Sequence, residues 1–326
     1  MDDIFDLTII GGGPSGLYAA YYAGFRGLKV KIVDSLEELG GQVTALYPEK
    51  YIYDVAGFPK ILAKDLVRNL VEQAFQYHPT CCLNERTERI HLVDKMYEIV
   101  TQKNRHKTRS ILLTTGVGVF KPKPIPVRGV ERFEGKGLAY FVPDIKHYAG
   151  KNVLIVGGGN SAVDWALNLE PLAAAITLVH RRDVFRAHER SVEQLKASTV
   201  KLKLFYEVKE LRGTSHVETA VLVNNKTQAE NVIPVEEVLA CLGFESTVGP
   251  LAQWGLQLDA NMIVVNTRME TNLLGIYAAG DVATYPGKVK LISSGFGEAA
   301  IAVNHAATFL NPGTRLSPGH SSNQSR

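Results

Sequence analysis

Between Asp6 and Ala20 the chain reads Asp-Leu-Thr-Ile-Ile-Gly-Gly-Gly-Pro-Ser-Gly-Leu-Tyr-Ala-Ala, an apolar strand that passes through a glycine turn into a small-residue helix. A GxGxxG match carries meaning only in that order of elements. Gly11 permits the tight turn, Gly13 lets backbone approach a pyrophosphate, and Gly16 lets the helix lie close on the strand, so that its N-terminus faces negative charge. The stretch predicts a dinucleotide site. A second strand, Lys29 to Asp34, ends in an acid at the distance where a ribose diol is hydrogen-bonded. Asp34 suits an adenosine ribose without a 2′-phosphate.

At 326 residues the chain is long enough for two domains with their own cores. Its net charge of +3 and lack of any long basic run argue against nucleic-acid binding, while leaving a modest basic excess for an acidic protein partner. No apolar run is long enough to cross a bilayer, and the opening Met1-Asp2-Asp3 is acidic where a secretory signal is basic. Cys81, Cys82 and Cys241 give neither a disulfide framework nor metal-ligand spacing, so a reducing, cytoplasmic compartment is expected. The adjacent pair reads as two strand positions facing opposite ways.

Gly40 to Tyr51 shows no helix or strand period and reads as a loop. Its Tyr47, taken alone, reads equally as a surface ring or a ligand contact. Residues 61 to 77 have helical spacing, followed by strands at 81–83, 89–93, 97–101 and 110–116. The run Phe120-Lys-Pro-Lys-Pro-Ile-Pro126 reads as an extended linker where a domain boundary is easy.

The opening theme then recurs. Asn152 to Ala166 is again strand, GxGxxA turn and small-residue helix, with Gly157, Gly159, Asn160, Ser161 and Ala162 in the turn region. Two such units imply two dinucleotides. The strand that follows ends at His180 in Arg181 and Arg182, with Arg186 close behind. A carboxylate there repels a 2′-phosphate, whereas guanidinium groups offer it charge and paired donors, which favours NADP over NAD. A solvated basic face is the alternative for these arginines, and His188 is given no chemistry. Val200–Val208 reads as one strand with a hairpin through 231, Glu270–Val282 as an apolar strand ending in Gly-Asp, and 297–309 as a helix.

With Thr114-Thr115-Gly116 and Ala279-Gly280-Asp281, the two turns resemble those of the two-dinucleotide flavoprotein reductases related to thioredoxin reductase. That resemblance implies an α/β fold of two Rossmann-like, three-layer ββα domains, with the NADP domain (118–246) inserted into an FAD domain (1–117 and 247–326). Thioredoxin reductase proper carries a CxxC before its second glycine turn. Here that region reads Tyr140-Phe-Val-Pro-Asp144, and no cysteine lies between 82 and 241. A dithiol relay has no atoms to run on.

Longer matches are more specific. Gly40-Gly41-Gln42, Leu46-Tyr-Pro-Glu-Lys50, Tyr53-Asp-Val-Ala-Gly-Phe-Pro59, His180 through Glu189 and Ser294-Gly-Phe-Gly-Glu-Ala299 closely resemble the thioredoxin-reductase-like ferredoxin–NADP reductases of bacteria. The resemblance implies an FAD-dependent enzyme exchanging electrons between NADPH and ferredoxin, with flavodoxin or a quinone as other acceptors, and a homodimer. A nucleotide-sensing flavoprotein without turnover is the reading from another class. The resemblance to the reductases places Gly11, Gly13, Pro14, Ser15, Gly16, Asp34, Gly41, Gln42, Tyr47, Thr87, Phe120, Asp281 and Ser322 on FAD. NADP falls to the second turn with His180, Arg181, Arg182 and Arg186. Tyr47 is expected to stack on one flavin face, and the tail from Pro318 to bring His320 and Ser322 to the other face and the reactive edge.

Overall fold

The computed structural model describes residues 3–116, 118–247 and 249–319. The chain divides into two compact units, Met1–Val119 with Ser246–Arg326, and Phe120–Glu245.

The first unit opens with β1 (Ile4–Ile10), whose residues are almost all buried, and α1 (Pro14–Phe25). No charged residue interrupts α1, so it is apolar on all sides and packs into the interior. Next come the fully buried β2 (Val30–Val33), α2 (Gln42–Leu46), the short pair β3 (Tyr51–Ile52) and β4 (Ile61–Leu62), and α3 (Ala63–Phe75). The last buries Leu66, Val67, Leu70 and Ala74 at helical spacing. After β5 (Thr80–Cys82), the strands β6 (Thr87–Val93), β7 (Met96–Thr101) and β8 (Arg105–Leu113) form an antiparallel meander. The crossing strand β9 (Val119–Pro122) lies where a linker was expected, and pairs with a later strand.

In the second unit, β10 (Leu138–Ala139) is followed by β11 (Asn152–Val156), α4 (Asn160–Leu169), β12 (Ala175–His180), α5 (Glu189–Ala197) and β13 (Lys201–Leu204). The expected strand 200–208 is in fact two. Phe205 at φ 64° turns the backbone, so that β13 stays in the parallel sheet while β14 (Tyr206–Arg212) leaves it. That strand joins β15 (Thr219–Asn224) and β16 (Glu230–Pro234) in a separate antiparallel sheet. Then β17 (Glu237–Ala240) returns to the parallel sheet, whose order is β10-β17-β11-β12-β13. Alternation along β11 builds two cores: Leu154 and Val156 face the meander residues Leu211, Ala220 and Leu222, while Val153 and Ile155 face Val163, Trp165 and Leu169 of α4. Meander, parallel sheet and helices make three layers.

The chain leaves through β18 (Phe244–Thr247), the partner of β9, and the first unit resumes with β19 (Leu258–Asp259), β20 (Met262–Val264), β21 (Ile276–Ala278), β22 (Ala283–Thr284) and α6 (Ile292–Leu310). Only three residues of the expected strand 270–282 are extended, because Asn266 and Thr271 side chains bind nearby backbone and curl the approach. Helix α6 begins five residues before the expected start. The small residue Gly295 sits inside it because a Cβ there would meet the Ser15 hydroxyl. In the completed sheet β1 lies between β2 and β8, β5 flanks β2, and β21 pairs β8 in parallel. The parallel part of the first sheet and the parallel sheet of the second unit therefore each reverse strand order beside the strand that leads into a glycine turn, at β1/β8 and β11/β17. The crevice beyond the carboxyl ends at such a point is where this architecture binds ligands.

Candidate active site

The two switch points are built alike. Gly11 N donates to Val33 O at 2.9 Å, and Gly157 N donates to Val179 O at 3.0 Å. At Gly11, where φ is 109°, a Cβ would lie 2.5 Å from Thr114 O; at Gly157 it would collide with Cys241 O. In each turn the first glycine is thus demanded by a carbonyl from the strand across the switch point. Gly13 and Gly159 stand before α1 and α4, and neither helix has a side-chain cap or an acid in its first turn. Both helix starts leave N–H groups and positive dipole ends to an anion.

Around the first turn other segments close in. Gly40 N donates to Gly12 O at 2.8 Å, and a Cβ on Gly41 would stand 3.0 Å from Gly13 Cα. This close backbone approach starts α2, a helix inside the expected loop, which carries Gln42 at its first position and ends at Tyr47. The Gln42 amide lies over Gly116, where a Cβ would be 2.6 Å from its nitrogen. Thr114 Oγ1 donates to Gly11 O at 2.7 Å. Ser15, in the first turn of α1, faces Gly280 and Gly295, so Asp281 in the turn Gly280–Val282 comes to the same place. Burial, then the charges of the nearby Asp281 and Asp54 carboxylates, push the Tyr47 hydroxyl up to about 12.

Asp34 sits at the end of β2, only 7% exposed. Gly12 N donates to its Oδ2 at 2.5 Å and Leu36 N to its Oδ1 at 2.8 Å. Burial pushes this carboxyl above its ordinary range, against the pull of the Leu36, Gly12 and Ser35 N–H groups. Three N–H groups on a carboxylate with about four lone-pair sites leave one acceptor position for a ribose hydroxyl. The neighbouring loop is stitched to it, Asn84 N donating to Leu36 O and Glu85 N to Asp34 O, both at 2.8 Å, and leads to the buried Thr87. Thr87 Oγ1 and Thr115 Oγ1 are buried without a hydrogen-bond partner, as are Thr8 Oγ1 and Asn231 Oδ1. The glycine cradle, the uncapped start of α1 and the acid at Asp34 together fit a flavin dinucleotide.

Sequence reasoning missed the network beneath that loop. Lys31 Nζ lies 3.0 Å from His106 Nδ1, His106 Nε2 lies 2.8 Å from Glu85 Oε1, and Thr101 Oγ1 donates to the same oxygen at 2.7 Å. Burial raises the Glu85 carboxyl, but bonds from Thr101, His106 and Asn104 outweigh it and hold the pKa below the usual range. Cys82, Glu85 and His106 bring three possible ligand atoms within 4.8 Å of one another. The Lys31 ammonium donates to Nδ1, however, which directs Nε2–H at Glu85 and leaves the imidazole no lone pair for an ion. Burial also pushes the Cys81 thiol up to about 11 and raises that of Cys82, so both are thiols rather than nucleophilic thiolates at neutral pH.

At the second turn the basic loop is tied down by its backbone. Arg186 N donates to Gly158 O at 2.7 Å and His188 N to Asn160 Oδ1 at 2.9 Å. The His180 ring stacks on Phe185 with centroids 5.2 Å apart and fills the space a side chain at Gly158 would need. Asn225 Nδ2, in the β15–β16 turn, donates to Arg181 O at 2.8 Å. Arg181, Arg182 and Arg186 are exposed, as is Ser161, while Ala162 is buried. Phe120 lies in β9 with its side chain outside the described residues, and His320 and Ser322 lie outside them altogether.

Residues 5–306 match the sequence model of the family described as pyridine nucleotide-disulphide oxidoreductase. The chain is 52% identical over 322 residues to a ferredoxin–NADP reductase of Halalkalibacterium halodurans, covering 98% of each, and 50% identical over 321 residues to one of Geobacillus kaustophilus, covering 98% of this chain and 97% of the relative. Among solved structures it resembles the T. acidophilum thioredoxin reductase, with a TM-score of 0.79 and 26% identity, covering 94% of this chain and 98% of that one. The Lactococcus lactis thioredoxin reductase gives the same TM-score at 25% identity, covering 94% and 99%. With its two switch-point cradles and this match along nearly its whole length, the chain belongs to the pyridine nucleotide-disulphide oxidoreductase family.

Proposed function

We propose that this protein is an FAD-dependent reductase that moves electrons between NADPH and ferredoxin. The observation that carries the reading is the pairing of one glycine cradle closed by a buried acid with a second that opens on an arginine loop; the names of its relatives agree with it. Bound FAD supplies a ring that accepts hydride from NADPH and releases electrons singly to a one-electron carrier. The chain's part is to bind, orient and shield. In the first unit Asp34 takes the adenosine ribose, Gly11 to Gly16 the pyrophosphate, Gln42, Thr87 and Asp281 further positions along FAD, and the Tyr47 ring one flavin face. In the second, Gly157 to Ala162 take the other pyrophosphate and Arg181, Arg182 and Arg186 the 2′-phosphate, with His180 beside them.

Disulfide reduction lacks its CxxC pair, since no cysteine lies between Cys82 and Cys241. Among the described residues no helix is long and apolar enough to cross a membrane. A cytoplasmic homodimer is part of the proposal, and sedimentation of the purified protein tests its assembly. Steady-state turnover with ferredoxin, flavodoxin and a quinone under one NADPH regime tests the acceptor: ferredoxin is expected to give the highest kcat/KM. A quinone preference would make the protein a diaphorase instead. Truncation after Pro318 tests His320 and Ser322, and unchanged single-turnover hydride transfer would remove them from the site.

A further inference from the structure

We infer that Glu298 is a positioning residue for the flavin dinucleotide, acting through the turn that carries Asp281. Glu298 lies in α6 and is only 3% exposed. Its Oε2 accepts the Gly280 N–H at 2.8 Å, and its Oε1 accepts the Tyr285 hydroxyl at 2.7 Å and an ion pair from the buried Lys288 ammonium. Gly280 itself stands at φ 77°, pressed against Ser15, where a Cβ would lie 2.8 Å from the hydroxyl oxygen.

One carboxylate thus grips the first residue of the turn Gly280–Val282 and, through Tyr285 and Lys288, the segment beyond it. The ion pair is a poor device for stability alone, because apolar residues of the same volume commonly do as well in a buried site. It is a good device for geometry. A charged acceptor makes a stronger bond to Gly280 N–H than a neutral one, and Lys288 neutralises the buried Glu298 carboxylate that holds it. Asp281 is thereby aimed from behind by a residue that need not touch the ligand.

The inference rests on the assignment of FAD to this unit, and the test separates the two. Apoprotein of the full chain is titrated with FAD, following flavin fluorescence, and the flavin midpoint potential is measured on each reconstituted form. K288M/E298M removes both charges together, so no buried charge is left unpaired, and takes away the Gly280 acceptor. It is expected to keep the wild-type circular dichroism and to bind FAD about ten- to a hundredfold more weakly, the range for losing a hydrogen bond to a charged group. K288M/E298Q restores a neutral acceptor and is expected to recover most of the affinity. E298D keeps both charges but shortens the reach to Gly280, and is expected to weaken binding about tenfold and shift the potential. Wild-type affinity and potential in K288M/E298M and E298D would overturn the positioning role while leaving the FAD assignment intact. Failure of the wild-type apoprotein to take up FAD would overturn both.

Discussion

The two glycine cradles share a frame and differ in how they are closed. The first is walled in by Gly40–Gly41, Thr114–Gly116 and the Gly280 turn, and its acid is buried against backbone N–H groups. The second has the Cys241 carbonyl across the switch point and a basic loop whose arginines stand in solvent. On the proposed assignment, the closed cradle suits a cofactor that stays and the open one with exposed charge a nucleotide that leaves after each turnover, so one supersecondary unit would serve retention or exchange according to what packs around its turn.

The comparison breaks most sharply on a pair of glycines. Gly11→Val drives a side chain into Thr114 O at a left-handed backbone and is expected to abolish FAD binding, read as loss of the flavin absorbance on purification. Gly157→Val collides with Cys241 O and is expected to leave the flavin in place while abolishing its reduction by NADPH. If both variants lost the same ligand, the division of labour would be wrong. Arg181→Ala with Arg182→Ala comes next: removal of charge-assisted bonds to a 2′-phosphate is expected to raise KM for NADPH about ten- to a hundredfold and leave KM for NADH unchanged.

A pH measurement sharpens the picture of the closed cradle. Tyr47 titrates at about 12 when folded, against about 10 in an unfolded chain, so the native state holds this proton longer. Its contribution to stability is complete below pH 10 and is lost as pH rises toward 12. Tyr47→Phe is expected to flatten part of the alkaline fall in Tm, other buried tyrosines supplying the rest, while the flavin spectrum of the native protein stays constant from pH 6 to 9. A flavin spectrum that titrates near pH 8 would place an ionising phenol at the ring. The smallest effect is expected from Asn225→Ala. Loss of its bond to Arg181 O loosens the basic loop and raises KM for NADPH a fewfold, about what one exposed hydrogen bond supplies.

Much of this site is legible in the sequence because a turn between strand and helix leaves a local trace. Asp34 and Arg181 are found simply by counting to the ends of the second strands. What escapes is set by distance or by context. Gly40–Gly41 reads as a loop, yet its approach to Gly13 nucleates α2. The helix read over 297–309 starts at Ile292 instead, because Gly295 lets α6 pass close against Ser15. Glu298, Lys288, Glu85 and His106 have the polarity of surface residues, and only folding brings them to buried partners. Phe205 carries no mark of its left-handed turn, so two strands read as one.

The most direct test of the whole account is an anaerobic titration of the purified protein, first with NADH, then with NADPH, then with oxidised ferredoxin, followed by absorbance. NADPH is predicted to bleach a bound flavin at close to one equivalent, NADH to do so only at large excess, and ferredoxin to restore the flavin colour as its own iron–sulfur absorbance falls. A colourless protein that takes up no FAD, or a flavin indifferent to NADPH, contradicts it.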